Sequence, residues 1–233
     1  MTREQLAAAG FELDPTSYEA LRRFVRLLLE ECRRVNLTGA KTEAEVWRIH
    51  ICDSLVLLPL LQRAGVRDLL DLGSGGGFPG IPLACASSLA VTLLDATRKK
   101  VEAVRRIGLC LGLSNLKVVW GRAEILAHDP AYRERFDGVT ARAVAALPVL
   151  VEYAAGFVRT GGHAWFYKSA SAAESECMAA ENAVRTCRLK HVDTVRYRLP
   201  GEHDDRVLLD FRKEGPVPDR LPRKSGQAVK RPL

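Results

Sequence analysis

Residues 68–82, DLLDLGSGGGFPGIP, constrain the fold of this chain more than any other stretch. A short apolar run carries an acid at Asp71. It then breaks into a turn holding Gly73, Gly75, Gly76, Gly77 and Gly80 before a helical pattern begins. Glycine in an element that does not need its freedom costs roughly 0.5–1 kcal/mol. Five of them in eight positions mark a strand–turn–helix unit whose backbone must take unusual angles or approach a ligand closely, and a turn that merely packs is the weaker reading. Pro79 and Pro82 pre-set the turn and the entry to the helix.

The rest of the chain repeats the strand–helix alternation that this turn starts. Apolar runs suited to strands lie at about 68–72, 90–94, 116–120, 138–141 and 163–167, with helical spacing at about 81–87, 98–111 and 143–158 between them. Strands separated by single helices need right-handed crossovers, which predicts a parallel sheet covered on both faces. A further helix at about 172–188 and two late strands near 192–197 and 206–211, joined through Leu199-Pro200-Gly201, complete the unit. Ahead of it, Leu21, Phe24, Val25, Leu28, Cys32 and Val35 recur at steps of three and four, behind an Asp14-Pro15 helix start, and a second helical stretch runs over about 43–61. The expected division is a helical lobe over 1–66, a doubly wound domain over 67–215 and a basic tail over 216–233.

Composition excludes several classes. No run of eighteen apolar residues exists, and the start MTREQLAAAG lacks the apolar core of a signal peptide, so the expected compartment is cytoplasmic, with no membrane partner. Six cysteines without a CxxC pair argue against disulfides, structural zinc and a redox dithiol, and no metal is expected. The net charge of +7 is not evenly spread: residues 1–66 are balanced, and the tail concentrates Arg220, Arg223, Lys224, Lys230 and Arg231 with no acid after Asp219. Such a segment suits a polyanion such as nucleic acid, or is simply a solvated tail.

Three ligands compete for the glycine turn. A phosphate loop of the Walker type needs a Gly-Lys-Ser/Thr ending, which is absent. The dinucleotide fingerprint GxGxxG is present as Gly75, Gly77 and Gly80 and keeps open a nicotinamide-dependent oxidoreductase. The spacing Asp71, Gly73, Gly75, Gly77 is also the DxGxGxG form of S-adenosylmethionine-dependent methyltransferases. That cofactor carries an ammonium and a sulfonium in place of a pyrophosphate, so Asp71 can favour its cationic end and Gly73 the close approach of backbone. Asp95, ending VTLLD, is placed to hold ribose hydroxyls under either reading, or to cap the helix that follows.

The continuation Phe78-Pro79-Gly80-Ile81-Pro82-Leu83 narrows the choice. Together with Asn36-Leu37-Thr38, His50 with Asp53-Ser54-Leu55, residues 95–100 (DATRKK), Arg122-Ala123-Glu124, Asp137 with Thr140-Ala141-Arg142-Ala143, and the Leu221-Pro222-Arg223 tail, it resembles the ribosomal RNA small subunit methyltransferase G family, also called glucose-inhibited division protein B. The resemblance implies an α/β fold of the class I methyltransferase type, Rossmann-like, with a seven-stranded mostly parallel sheet and a small helical N-terminal lobe. It implies S-adenosyl-L-methionine as cofactor, 16S rRNA or the small ribosomal subunit as partner, and methylation of N7 of one guanine. It further implies cofactor contacts by Gly73, Phe78, Asp95, Ala96, Thr97, Ala123 and Glu124, with Arg142 near both cofactor and target base. The chain departs from the family pattern in having Asp95 where Glu is frequent, Gly76 for Ala or Pro, Ser169 after Lys168 where Gly is common, and Leu221 for Tyr.

Residue chemistry agrees with that target. N7 of guanine offers a lone pair and no proton, so its methylation needs alignment but no general base. The tetrapeptide after the fourth strand reads Thr140-Ala141-Arg142-Ala143, with neither the Asn/Asp-Pro-Pro-aromatic motif of amine-methylating enzymes nor a nucleophilic cysteine. Arg142, the catalytic candidate, has a planar fork suited to guanine O6 or a phosphate, or else it pairs with an acid such as Glu124. Phe78 is equally a core residue or a wall of the site. Lys168 is an RNA-phosphate contact or a solvated lysine, and Arg223, Lys224, Lys230 and Arg231 are expected to supply RNA affinity without sequence reading. His50 and Asp53, three apart on a helix, lack a third metal ligand and read as a contact between the helical lobe and the sheet.

Overall fold

The computed structural model describes residues 1–233. Its helices are α1 (Arg3–Ala8), α2 (Pro15–Glu31), α3 (Glu43–Val46), α4 (Cys52–Leu55), α5 (Leu58–Arg63), α6 (Gly80–Cys85), α7 (Arg98–Leu111), α8 (Ala123–Leu126), α9 (Leu147–Ala155), α10 (Ala170–Thr186) and α11 (Gln227–Lys230). The strands are β1 (Asp68–Leu72), β2 (Ala90–Asp95), β3 (Leu116–Trp120), β4 (Phe136–Arg142), β5 (Val158–Ser169), β6 (Leu189–Arg198) and β7 (Asp205–Lys213).

The sheet has the order β3-β2-β1-β4-β5-β7-β6. β1 to β5 pair in parallel, whereas β7 runs antiparallel between β5 and β6. Dinucleotide-binding sheets place six strands in the order 3-2-1-4-5-6, without a reversed strand next to the last. The order turns back between β1 and β4, and the carboxyl ends of those strands open the crevice where ligands of such sheets bind.

Local chemistry accounts for the elements. Asp14 caps α2 by accepting from the Thr16 and Ser17 amides at 2.9 Å each, and Pro15 supplies the first turn. α7 stops at Gly112, whose left-handed φ of 71° lets its amide bond back to the helix. The helical stretch expected over 43–61 forms in pieces: α3 widens into a π-helical turn at Trp47–Ile51, re-forms as α4, and restarts as α5 with Pro59 in its first turn. The expected helix over 143–158 begins only at Leu147, because the chain first makes a sharp turn in which Ala143 takes a φ of 56°.

Two faces of the sheet are covered by different helices. One buried cluster joins Leu21, Phe24, Val25 and Leu28 of α2 to Ile81 and Ala84 of α6, Val91 and Leu93 of β2, and Val104 and Ile107 of α7. Residues 1–66 thus have no core of their own apart from the sheet. On the opposite face, α9 and α10 pack their alanines, leucines and valines on Val139, Phe166, Val207 and Phe211. The tail also belongs to that face: Val217, Leu221 and Ala228 are buried in the same cluster.

Candidate active site

The site grows from the turn between β1 and α6. Gly73, Gly75 and Gly77 have φ of 74°, 54° and 93°, which only glycine adopts without strain. Most amides of the turn bond inward: Gly73 and Ser74 donate to the Leu94 carbonyl, and Gly77 and Phe78 to the Ser74 carbonyl. Two more are taken by the chain's own carboxylates. Gly75 N donates to Asp95 Oδ2 at 2.9 Å, and Gly80 N, at the start of α6, donates to Asp71 Oδ2 at 2.8 Å. A pyrophosphate would need those amides as donors. Here they are spent on carboxylates, so the turn offers little to an anion.

Two cavities border the turn and a third lies beyond the end of β4. The first, of 430 Å³, runs along Gly73 to Gly76 and is walled by Leu37, Thr38, His50, Phe78, Asp95, Lys100 and Arg142. The second, of 170 Å³, shares Gly73, Asp95, Ala96 and Val144 with it and adds Ala123, Glu124 and Tyr153. The third, of 330 Å³, lies on the far side of Arg142 and Ala143 and is lined by Asp53, Tyr167, Lys168, Tyr197 and Arg206 among others. Arg142 therefore stands in the wall between a cavity on the glycine turn and a cavity on the antiparallel end of the sheet.

Most residues picked out from the sequence converge there. Gly73, Gly75, Phe78, Asp95, Ala96, Ala123, Glu124 and Arg142 all line the first two cavities. Phe78 combines the two roles left open for it: it is buried against Phe24 in the core while its ring stacks on His50, centroids 4.5 Å apart, at the cavity wall. Asp95 does not cap α7, whose N-cap is Thr97; it accepts from the Thr97 amide at 2.7 Å and the Gly75 amide, leaving lone pairs toward the cavity. Glu124 is buried and has Arg122 as its ion partner, not Arg142.

Four of the expected site residues have their contacts within the fold. Asp71 lines none of the three cavities: it is fully buried beneath the turn, with Oδ1 unpartnered, and burial lifts its carboxyl to about 7. Thr97 faces neither cavity on the turn and serves the start of α7. Lys168 reaches the third cavity, but its side chain is only 10% exposed and its ammonium is held by Glu176 at 2.5 Å and the Ala145 carbonyl at 3.0 Å. Arg223 is turned inward onto the fully buried Glu152, with which its Nε and Nη2 form a fork at 2.6–3.1 Å. Both lysine and arginine answer buried or half-buried carboxylates, which a reading of charge along the chain does not reveal. Lys224, Lys230 and Arg231 stay exposed.

The largest addition is the helical segment that carries His50 and Asp53. Asp53 is fully buried and accepts from Arg142 Nη1 at 2.8 Å and from the Tyr197 hydroxyl at 2.7 Å, with Arg206 3.4 Å away. His50 Nδ1 lies 3.1 Å from Arg142 Nη2, and the guanidinium sits 5.2 Å from the Phe78 ring. Burial, with the positive charge of Arg142, pushes the His50 imidazole down to about 4. The expected contact between this segment and the sheet is therefore made through Arg142 itself. Tyr197 and Arg206 were invisible as site residues because only the chain of pairings from β4 through β5 and β7 to β6 brings them near the end of β4.

No group of three or more His, Cys, Asp or Glu side chains is gathered as metal ligands, and no helix is long and apolar enough to cross a membrane.

Solved methyltransferases share this architecture. The O-methyltransferase from Bacillus cereus superposes with a TM-score of 0.57 at 18% identity, over 91% of this chain and 96% of that one. A ribosomal protein L11 methylase from Lactobacillus delbrueckii subsp. bulgaricus does so at 0.54 and 14%, over 76% and 81%. Sequence relatives are nearer. The ribosomal RNA small subunit methyltransferase G of Deinococcus deserti is 39% identical over 99% of this chain and 96% of its own length, and that of Brevibacillus brevis 36% over the whole of both. The family described as rRNA small subunit methyltransferase G matches residues 17–203. With the glycine turn, the strand order and the cavity residues in agreement, the chain belongs to the ribosomal RNA small subunit methyltransferase G family.

Proposed function

We propose that the protein transfers the methyl group of S-adenosylmethionine to N7 of a guanine in the 16S rRNA of the small ribosomal subunit. The observation that carries the cofactor reading is the use of the turn's amides. With the Gly75 amide given to Asp95 and the Gly80 amide to the buried Asp71, the turn keeps few donors for a pyrophosphate, which disfavours a dinucleotide, and a ligand along it meets the Asp95 carboxylate. The nicotinamide alternative is disfavoured further by the antiparallel β7.

The residues present fit the cofactor along the two joined cavities. Glu124 and Ala123 would border the adenine, Asp95 the ribose hydroxyls, and Gly73 to Gly76 the methionine portion. When bound, the cofactor supplies an electrophilic methyl on a sulfonium. The chain's contribution is to aim the acceptor at it. Arg142, clamped by Asp53 and His50 and backed by the Phe78 ring, keeps its guanidinium fixed between the cofactor side and the third cavity, where the target nucleotide would enter. Its remaining N–H groups suit guanine O6 or a phosphate and leave N7 free.

An acceptor without a proton matches the absence of a free base at this position. Asp53 accepts from Arg142 and Tyr197 and is ion-paired with Arg206, and His50 already accepts from Arg142. The test is incubation of unmethylated small-subunit RNA with the protein and labelled cofactor, followed by mapping of the label; label on a pyrimidine or an exocyclic amine overturns the reading. Arg142→Ala is expected to lower kcat about a hundredfold at saturating cofactor, the cost of a misplaced acceptor. A near wild-type kcat would remove Arg142 from the site.

A further inference from the structure

Thr38 stands in the wall of the first cavity, in the Asn36-Leu37-Thr38 turn. That turn is pressed onto the glycine turn: a Cβ added at Gly76 would lie 2.6 Å from the Leu37 carbonyl oxygen. The hydrogen bonds around Thr38 fix which way its hydroxyl must work. Arg142 has only donors, so its Nη2 contact makes His50 Nδ1 an acceptor. A neutral imidazole that accepts at Nδ1 carries its proton at Nε2. His50 Nε2 therefore donates to Thr38 Oγ1, 2.5 Å away, and the Ala40 amide donates to the same oxygen at 3.1 Å. Both lone pairs of Thr38 Oγ1 are then filled. Its own proton is left, and no protein group takes it.

We infer that the Thr38 hydroxyl donates a hydrogen bond to the methionine carboxylate of the bound cofactor, an assignment that rests on the methyltransferase reading. The layout of the cavities favours this group over any other on the ligand. The part lined by Ala123, Glu124 and Tyr153 takes the adenosine, and Asp95 with Ala96 marks the junction. The remaining length beyond Gly73 holds Thr38, Lys100 and Arg142, and the methionine carboxylate is the ligand's only anion. Arg142 spends one nitrogen on Asp53 and another on His50. Thr38 is thus a donor whose direction is set by residues that also hold the acceptor-side arginine. The tail of the cofactor and the mouth of the acceptor cavity are joined through Thr38, His50 and Arg142.

The experiment is isothermal titration of wild type, Thr38→Val and Thr38→Ser with S-adenosylhomocysteine and, separately, with decarboxylated S-adenosylmethionine, which has no carboxylate for Thr38 to reach. Thr38→Val is expected to bind S-adenosylhomocysteine about ten- to a hundredfold more weakly, the value of a hydrogen bond to a charged group. Its affinity for the decarboxylated ligand should equal that of wild type, and Thr38→Ser should keep both affinities. Equal weakening for both ligands would mean a disordered turn and would overturn the assignment, as would no weakening for either. Nitrogen-15 spectra of the His50 ring give an independent check: a proton on Nδ1 in place of Nε2 overturns it without any variant. If wild type binds neither ligand, the methyltransferase reading fails; if it binds both and Thr38→Val does so equally well, only the role of Thr38 fails.

Discussion

Ala143 is a small residue in a costly place. With φ at 56° it occupies the left-handed region that a Cβ disfavours, and it does so between the first and third cavities, directly after Arg142. Ala143→Gly is expected to raise stability by about 1 kcal/mol and Ala143→Val to lower it by at least as much, measured by urea unfolding. Asp71 stores a different cost. Its carboxyl, ordinarily near 3.8, is lifted by burial to about 7, so between those values the folded chain holds a proton that the unfolded chain has released. Its contribution to stability is full below about 4 and is lost as pH rises through 7. Asp71→Asn keeps an acceptor for the Gly80 amide and removes that loss, so its stability relative to wild type should rise from pH 5 to pH 8; parallel curves would refute the assignment. From the sequence, Asp71 was legible as part of a motif, yet not its orientation: the same acid could face the ligand or the loop, and the close approach of α6 to β1 decided for the loop.

At the scale of elements, strands and turns were largely legible because their signals are local. The spacing around 98–111 and the apolar run at 116–120 correspond to α7 and β3 residue for residue. The π-helical turn at Trp47–Ile51 was not, since its cause is tertiary: it sets His50 and Asp53 on one guanidinium from another element. The tail illustrates the same limit. Charge alone marked Arg223 as a surface cation, while the fold makes it the counter-ion of Glu152 on α9. Nearby, Arg133 donates to the carbonyls of Ala127, Leu221, Val217 and Pro218, and so ties down the tail's backbone. Arg223→Ala should cost about 3 kcal/mol or more, because it leaves a fully buried carboxylate unpaired. Lys224→Ala, one position on and exposed, should change stability by less than about 0.5 kcal/mol. Calorimetric unfolding of the two variants checks the contrast.

For the whole molecule, the positive charge divides between structure and surface. Lys168, Lys213 and Arg223 answer carboxylates within the fold, whereas Lys224, Lys230 and Arg231 are free to meet phosphate. Reversing the last three to Glu is expected to weaken RNA binding, with the slope of log K against log salt falling by about 0.7–0.9 for each phosphate that is no longer neutralised, and to leave cofactor affinity unchanged. A filter-binding salt titration reads this directly, and an unchanged slope would separate the tail from RNA. The interior use of Lys213 and Arg223 has a consequence for biosynthesis. Glu152 and Glu134 are buried or half-buried, and their partners Arg223 and Lys213 are translated some seventy to eighty positions later. A nascent chain ending near residue 210 therefore holds α9 with a carboxylate it cannot neutralise. Strands β1 to β5 can pair as they emerge, but the core under α9 closes only after the segment that carries Lys213 and Arg223 has followed them.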